Sequence, residues 1–217
     1  MILGVYGAGG NGKTVVDLAH FIEKRNKRWD RIVFIDDVTD EKMVYGIEVY
    51  SYEEAMSTFQ KDEIGFIISN GEPADREKLF NKLKDDGCHF ETLINPDAWL
   101  PEKTVIGEGC IVGLCTVGSD SCIGDNTFVS QDAIIGHDTV IGKNTIVSAG
   151  SFIAGHCKIG DKVYIGPRAS LRDRISVEDT AVVAIGAVVL KDVPGNVIAL
   201  GNPAKYIRKE DDYRIFG

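Results

Sequence analysis

A histidine beside an aspartate, His137-Asp138, is the clearest candidate for acid–base chemistry in this sequence. A carboxylate that bonds one ring nitrogen of a histidine fixes its tautomer and raises the basicity of the other nitrogen. His137 follows a regularly spaced aliphatic residue at a position where a turn is expected, so its ring is predicted to point outwards. His20, His89 and His156 are interpreted as structural or exposed. On composition alone, the alternative that His137 is a solvated surface residue without a catalytic role stays open.

A second candidate site is the run GAGGNG at residues 7–12, which fits the GxGxxG pattern. It follows a predicted strand and opens a predicted helix, so a ligand could approach the backbone and a phosphate would meet the helix N-terminus. The pair Asp36-Asp37 ends the next predicted strand. Binding of NAD is disfavoured, because the α/β region amounts to one mononucleotide-binding half rather than two. A purely structural tight turn stays open.

The elements that would position this loop alternate between short apolar runs and amphipathic helical stretches, from Met1 to about Leu93. We predict strands at 2–6, 31–35, 63–69 and 90–94, and helices at 14–25 and 75–86. Strands that alternate with helices imply βαβ units and a parallel sheet.

Aliphatic residues recur at every sixth position in the second half of the chain. They are Val117, Ile123, Val129, Ile135, Ile141, Val147, Ile153, Ile159, Ile165, Leu171, Val177, Val183 and Val189. This period fits neither an α-helix nor an alternating strand. Each hexamer predicts one short strand and one tight turn, and three hexamers form a triangular coil that buries the aliphatic column. Val105 and Ile111 are predicted to keep this register, although the glycines near them are displaced by one position.

The segments IGHDTV, IGKNTI and VSAGSF, with the closing GNPAK at 201–205, resemble the hexapeptide-repeat acyltransferases. Together with a short N-terminal α/β domain, the chain is similar to the family of sialic acid O-acetyltransferases and nucleotide-amino-sugar N-acetyltransferases. The resemblance implies an α/β Rossmann-like half domain at residues 1–94 that binds the nucleotide sugar. It implies a left-handed parallel β-helix at residues 95–217 that carries the acetyltransferase activity.

The activity that this resemblance implies is acetyl-CoA-dependent N-acetylation of a nucleotide-linked 4-amino-4,6-dideoxy sugar, by direct transfer and without a metal. The family's base is the histidine of an IxH[DE]xxIG segment, which matches residues 135–142 and assigns that role to His137, with Asp138 as its partner. The nucleotide base (UDP, dTDP or GDP), the sugar stereochemistry and the choice of amine or hydroxyl stay open.

The family resemblance also assigns binding residues. Those expected around the nucleotide sugar are Gly9, Gly10, Asn11, Asp36, Asp37, Asn70 and Gly71. Those expected near acetyl-CoA are Gly155, Gly186 and Lys205, and His156 either lines the pantetheine channel or is only exposed, with exposure favoured. Two departures bear on substrate identity, because many relatives carry histidine at the position of Asn11 and asparagine at the position of Ser130.

Three alternatives remain. O-Acetylation of sialic acid or a related sugar fits nearly as well, and a non-catalytic nucleotide-sugar-binding scaffold is the second alternative. A γ-type carbonic anhydrase needs three histidines around zinc, and only His137 and His156 lie in the repeats.

The net charge of −9 argues against a nucleic-acid partner. No stretch approaches the ~20 apolar residues of a membrane span, and the N-terminal segment does not resemble a signal peptide. The five cysteines form no CxxC pair and are interpreted as reduced residues of a cytoplasmic protein. The family resemblance implies a homotrimer.

Overall fold

The computed structural model describes residues 1–210 and 213–216. Its N-terminal part is a mainly parallel sheet between two helical layers. The elements are β1 (Ile2–Tyr6), α1 (Gly10–Glu23), β2 (Arg31–Ile35), β3 (Met43–Val44), β4 (Ile47–Tyr50), α2 (Tyr52–Thr58), β5 (Ile64–Ile68), α3 (Pro73–Asp85) and β6 (His89–Phe90). The strand order is β3-β4-β2-β1-β5-β6, with β3 antiparallel to β4. Helix α1 covers one face, while α2 and α3 cover the other.

The predicted strands at 2–6 and 31–35 match β1 and β2, but the helices begin earlier than expected. Helix α1 begins at Gly10, so its first turn contains Gly10 and Gly12. Glycine has a low helix propensity, which is why the sequence predicted a later start. Helix α2 was missed in the sequence. It is short, and a capping box between Ser51 and Glu54 closes its first turn.

The predicted strand 90–94 is divided between the two parts of the chain. His89–Phe90 pairs with β5 of the α/β sheet. Leu93–Ile94 pairs instead with Ile111–Val112 in the second part. An apolar run of this length does not itself reveal that its two ends join different sheets.

The second part is a three-sided parallel β-helix, in which strands of two residues, and of four residues for the last two, alternate with turns. Its strands are β7 (Leu93–Ile94), β8 (Val105–Ile106), β9 (Ile111–Val112), β10 (Thr116–Val117), β11 (Cys122–Ile123), β12 (Phe128–Val129), β13 (Ile134–Ile135), β14 (Val140–Ile141), β15 (Ile146–Val147), β16 (Phe152–Ile153), β17 (Lys158–Ile159), β18 (Tyr164–Ile165), β19 (Ser170–Leu171), β20 (Ser176–Val177), β21 (Val182–Val183), β22 (Val188–Val189), β23 (Val197–Leu200) and β24 (Lys205–Arg208). All thirteen predicted aliphatic positions, from Val117 to Val189, are at most 3% exposed, as the six-residue period predicted.

The strands form three faces. Face 1 contains β10, β13, β16, β19 and β22, and face 2 contains β8, β11, β14, β17 and β20. Face 3 contains β7, β9, β12, β15, β18, β21 and β23, and β24 extends it antiparallel to β23. Most turns at the three corners place one residue in the left-handed region, commonly Asp or Asn. This is the architecture expected of the left-handed β-helix.

The register predicted for the first coil is wrong by one residue. Val105 is 59% exposed and Ile111 faces the α/β domain, whereas Ile106 and Val112 point into the β-helix. Ile106 pairs in register with Ile123, and Val112 pairs with Val129. Val112 and Val117 are five positions apart instead of six, and the displaced glycines near Val105 and Ile111 were the sequence signal of this shift.

The α/β domain packs on face 3. The outward residues of that face are buried against apolar residues of α1 and the sheet. They are Ile111, Phe128, Ile146, Tyr164 and Val182. Because face 3 is covered, the corner between faces 1 and 2 is the corner farthest from the α/β domain.

No helix among the described residues is long and apolar enough to span a membrane.

Candidate active site

His137 and Asp138 lie in the turn between β13 and β14, at the corner between faces 1 and 2. Asp138 adopts a left-handed conformation with φ of 55°. His156 occupies the same corner one coil later with φ of 58°, and its backbone N–H donates to the carbonyl of His137. The repeat therefore places the imidazole rings of two successive coils beside the carboxylate of Asp138.

The imidazole of His137 is held on two sides. Its Nδ1 lies 2.7 Å from Asp138 Oδ2, as the sequence interpretation expected of this pair. The ring of His156 meets it edge-on at 4.9 Å between centroids, and His156 Nδ1 lies 3.8 Å from the same Asp138 oxygen. The hydrogen bond from His137 is the main cause that holds the pKa of Asp138 below its usual value, so this carboxylate is ionised at neutral pH.

Gly155 faces the other nitrogen of His137. A Cβ atom built on Gly155 would lie 2.9 Å from His137 Nε2, so the glycine leaves the space that the ring occupies. With Nδ1 engaged by Asp138, Nε2 is the nitrogen left to accept a proton from a substrate. The His137 side chain is 61% exposed, so a ligand can reach it.

His137, Asp138 and His156 also offer ligand atoms that all lie within 4.8 Å of one another. Imidazole and carboxylate groups are common ligands of divalent metals. The expectation of a reaction without metal therefore stays a prediction, and chelation tests it below.

The run GAGGNG at residues 7–12, which we call the glycine loop, lines a cavity of about 360 Å³. Six of the seven residues predicted to surround the nucleotide sugar lie in its wall, namely Gly9, Gly10, Asn11, Asp36, Asn70 and Gly71. The seventh, Asp37, lines an adjoining cavity of about 280 Å³ with Tyr6, Asp36 and Asn70. The structure thus brings the predicted binding residues together at the carboxyl ends of β1, β2 and β5, where ligands bind in open α/β sheets.

The two aspartates after β2 differ in their surroundings. The carboxylate of Asp36 accepts hydrogen bonds from the backbone N–H groups of Ala8, Val38 and Thr39, so it fixes the glycine loop. Asp37 accepts from the Tyr6 hydroxyl at 2.5 Å. Burial, together with this hydrogen bond, raises the pKa of Tyr6, so the phenol stays a hydrogen-bond donor at neutral pH.

The three residues predicted near acetyl-CoA are not grouped within one chain. Gly155 lies at the corner of His137. Gly186 lies at a different corner, between faces 3 and 1, with φ of 65° and open space around it. Lys205 is exposed at the start of β24. These three assignments stay predictions.

The sequence analysis did not assign three residues that lie at the His137 corner or in the glycine-loop cavity. His156 was interpreted as simply exposed, yet the repeat places it over Asp138, and its spacing of three hexamers was the available signal. Arg214 and Phe216 line the glycine-loop cavity. No pattern in the sequence links this distant C-terminal segment to the loop.

Comparisons with known proteins match both parts of the chain. The PglD N-terminal domain family matches residues 3–83, and the GMPPB C-terminal domain family matches residues 86–165. WeeI from Acinetobacter baumannii AYE is 30% identical, with a TM-score of 0.88, over 95% of this chain and 100% of its own. This chain belongs to the PglD-type hexapeptide-repeat sugar acetyltransferases. As a member of the PglD-type family, it is an acyltransferase, and the family resemblance drawn from the repeats is confirmed.

Further solved structures of similar proteins show the same two-part fold. The acetyltransferase domain of PglB from Neisseria gonorrhoeae FA1090 is 28% identical, with a TM-score of 0.88, over 95% of this chain and 99% of its own. That PglD-type domain is also known in complex with acetyl coenzyme A. PerB from Caulobacter crescentus, in complex with CoA and GDP-perosamine, is 24% identical, with a TM-score of 0.87, over 95% and 97% of the two chains. Because the identity is only 24%, the comparison with PerB shows that the two proteins share a fold. No curated protein matches the chain.

Proposed function

We propose that this protein transfers the acetyl group of acetyl-CoA to the amino group of a nucleotide-linked 4-amino-4,6-dideoxy sugar. The observation that carries the proposal is the His137-Asp138 pair, which leaves one imidazole nitrogen free at an exposed corner of the acetyltransferase β-helix. Similar proteins bind acetyl coenzyme A or CoA with GDP-perosamine, which supports both the donor and the acceptor class.

In the proposed reaction, the neutral sugar amine attacks the thioester carbonyl and a C–N bond forms. His137 Nε2 takes the proton that the nitrogen loses. The tetrahedral intermediate then collapses, the C–S bond breaks, and the thiolate of CoA leaves and receives the proton from His137. Asp138 holds the imidazole in the required tautomer. The oxyanion needs a hydrogen-bond donor, and we assign this role to a backbone N–H near Gly155.

The acceptor and the base come from different subunits in this proposal. The glycine-loop cavity belongs to the domain on face 3, whereas His137 lies at the corner farthest from that face. The flanks of this corner expose apolar side chains, Ile134 and Phe152 on face 1 and Val140 on face 2. We propose that a homotrimer covers these side chains and brings the cavity of one subunit to His137 of another.

Two further assignments belong to this proposal. We assign the reaction to the cytoplasm, where acetyl-CoA and nucleotide sugars are available. We also propose the division of the chain into a binding domain at residues 1–94 and a catalytic domain at residues 95–217, with β7 at the boundary paired to the sheet of the β-helix.

The test is a substrate panel. UDP-, dTDP- and GDP-linked 4-amino-4,6-dideoxy sugars and free sialic acid are incubated with acetyl-CoA, and acetylated products are identified by mass spectrometry. We expect N-acetylation of one nucleotide-linked sugar and unchanged turnover after EDTA treatment. Acetylation of sialic acid alone would favour the O-acetyltransferase alternative, and no consumption of acetyl-CoA with any acceptor would favour the scaffold. Loss of turnover on chelation, restored by a divalent metal, would contradict the metal-free mechanism.

A further inference from the structure

The C-terminal segment 213–216, which we call the tail, lies against the glycine-loop cavity. Both terminal nitrogens of the Arg214 guanidinium donate to Asp75, at 3.2 and 2.5 Å. The backbone N–H of Ile215 donates to Glu72 Oε2 at 2.9 Å. The ring of Phe216 meets Tyr164 of face 3 edge-on, with 5.8 Å between centroids. The tail is thus attached both to the start of α3 and to the β-helix.

The loop after β5 is shaped to receive this tail. A Cβ atom on Gly71 would lie 3.0 Å from Cε2 of Phe216 and 2.7 Å from Nδ2 of Asn11. Gly71 thereby lets the Phe216 ring and the Asn11 amide meet over one backbone position. Because Asn11 belongs to the glycine loop, the tail and the binding loop lie side by side in the wall of the same cavity.

The charges in the cavity wall give Arg214 a specific role. Among the described residues of this wall, the carboxylates are Asp36, Glu72 and Asp75, and the cation is Arg214. Asp36 is engaged by backbone N–H groups, and Asp75 by Arg214. A diphosphate would be repelled by these carboxylates without a compensating positive charge.

The Arg214 guanidinium can bind Asp75 and a diphosphate at the same time. It carries five N–H donors in a fixed plane, and its contacts with Asp75 leave other donors free. Its side chain remains 48% exposed beside the cavity. Arginine suits such a place because its planar group pairs with carboxylate and phosphate oxygens in a defined geometry.

We propose that Arg214 binds the diphosphate of the nucleotide-linked sugar, and that Phe216 is a positioning residue that holds the tail on the glycine loop. This inference rests on the proposed function, because it names a further residue of the same acceptor site. It makes the C-terminal tail part of the binding site rather than an appendage of the β-helix.

The test compares the affinities of UDP, GDP and dTDP with those of the corresponding nucleosides, by calorimetry on the full-length protein. We expect Arg214→Gln to weaken diphosphate binding by about 10- to 100-fold, the worth of a charged hydrogen bond. Nucleoside affinity should stay unchanged. Phe216→Ala and a chain that ends at Glu210 should show the same selective loss. Arg208→Gln, which removes an exposed arginine of β24 outside the cavity wall, is the matched control, and acetyl-CoA binding reports intact folding.

The outcomes separate this inference from the proposed function. If none of the three diphosphates binds the wild-type protein, this inference falls, and the substrate panel decides the proposed function separately. If one binds equally well to wild type and Arg214→Gln, only this inference falls. Tighter binding by the truncated chain would make the tail a plug and would also refute it. A loss confined to Lys78→Gln, which removes a cation of the adjoining cavity, would move the diphosphate away from Arg214.

Discussion

At the scale of single residues, the candidate base depends on what surrounds its ring. Asp138 engages Nδ1 of His137, His156 packs against one side, and Gly155 leaves space beside Nε2. The pKa of Asp138 is lowered in the folded protein, chiefly by His137. Its ionised form is therefore favoured at neutral pH and is lost only as the pH falls through this lowered pKa. We therefore do not expect the titration of Asp138 to change turnover near neutral pH.

The first prediction concerns the base. We expect His137→Ala to lower turnover by about 100- to 10,000-fold, the usual contribution of a general base. The side chain is exposed and its removal leaves the aliphatic column intact, so the thermal midpoint and oligomeric state should not change. Steady-state kinetics and light scattering measure the two effects. Near wild-type turnover in the variant would refute the assignment.

The second prediction concerns the space beside Nε2. Gly155→Ala adds a methyl group 2.9 Å from His137 Nε2, and the ring can turn away because it is the far end of a side chain. We expect turnover to fall by about 10- to 100-fold, since a displacement of about 1 Å has effects of this size. The thermal midpoint should stay within a few degrees of wild type. Unchanged turnover would show that the position of the His137 ring is not critical.

At the scale of elements, the glycines of the run at residues 7–12, which joins β1 to the first turn of α1, have different roles. A Cβ on Gly12 would lie 2.0 Å from the carbonyl oxygen of Gly7, so Gly12 is required for the close approach of strand and helix. A Cβ on Gly9 or Gly10 would meet no atom of residues 1–210 or 213–216 within 4 Å. These two glycines instead leave the cavity open to a ligand.

The third prediction uses this difference. Gly9→Val should weaken nucleotide-sugar binding, because the side chain enters the cavity, while acetyl-CoA binding and the thermal midpoint stay nearly unchanged. Gly12→Ala should instead destabilise the fold by about 1 to 3 kcal/mol, the range for overpacking. Calorimetric titration of both ligands and denaturant unfolding measure these effects. Equal loss of both ligands in a folded Gly9→Val variant would contradict separate sites.

At the scale of the whole molecule, a buried arginine links the two parts of the chain. Arg76 of α3 is fully buried, and its guanidinium donates to the carbonyl oxygens of Ile68 and Asn70 and to Asn126 at a corner of the β-helix. Burial lowers its pKa to about 9, so it remains charged at neutral pH. The loop after β5, which includes Asn70 of the cavity, is therefore held against the β-helix.

The fourth prediction concerns assembly. Phe152→Glu places a charge among the exposed apolar side chains beside the His137 corner, and we expect it to convert the proposed trimer into monomers with little activity. Met43→Glu, on an exposed strand of the α/β sheet, is the matched control and should remain trimeric. Light scattering and turnover at assay concentration decide the matter. A fully active wild-type monomer near 23.7 kDa would remove the inter-subunit site.

Local patterns in the sequence determined much of this protein. The six-residue period predicted the interior of the β-helix from Val117 to Val189, because each hexamer is a strand and a turn that repeat the same contacts. The loop at 7–12 and the ends of β1 and β2 followed from glycine and apolar spacing. The His137–Asp138 hydrogen bond followed from two adjacent residues in a turn.

Only the tertiary structure decided which distant residues meet. The contact of His156 with His137 depends on how successive coils stack, and the tail joins the wall of the glycine-loop cavity through contacts between segments far apart in sequence. The covering of face 3 likewise separates the cavity from the His137 corner within one chain. A sequence pattern records the period and the turns of each element, whereas the packing of one element on another depends on surfaces that form only when the chain is folded.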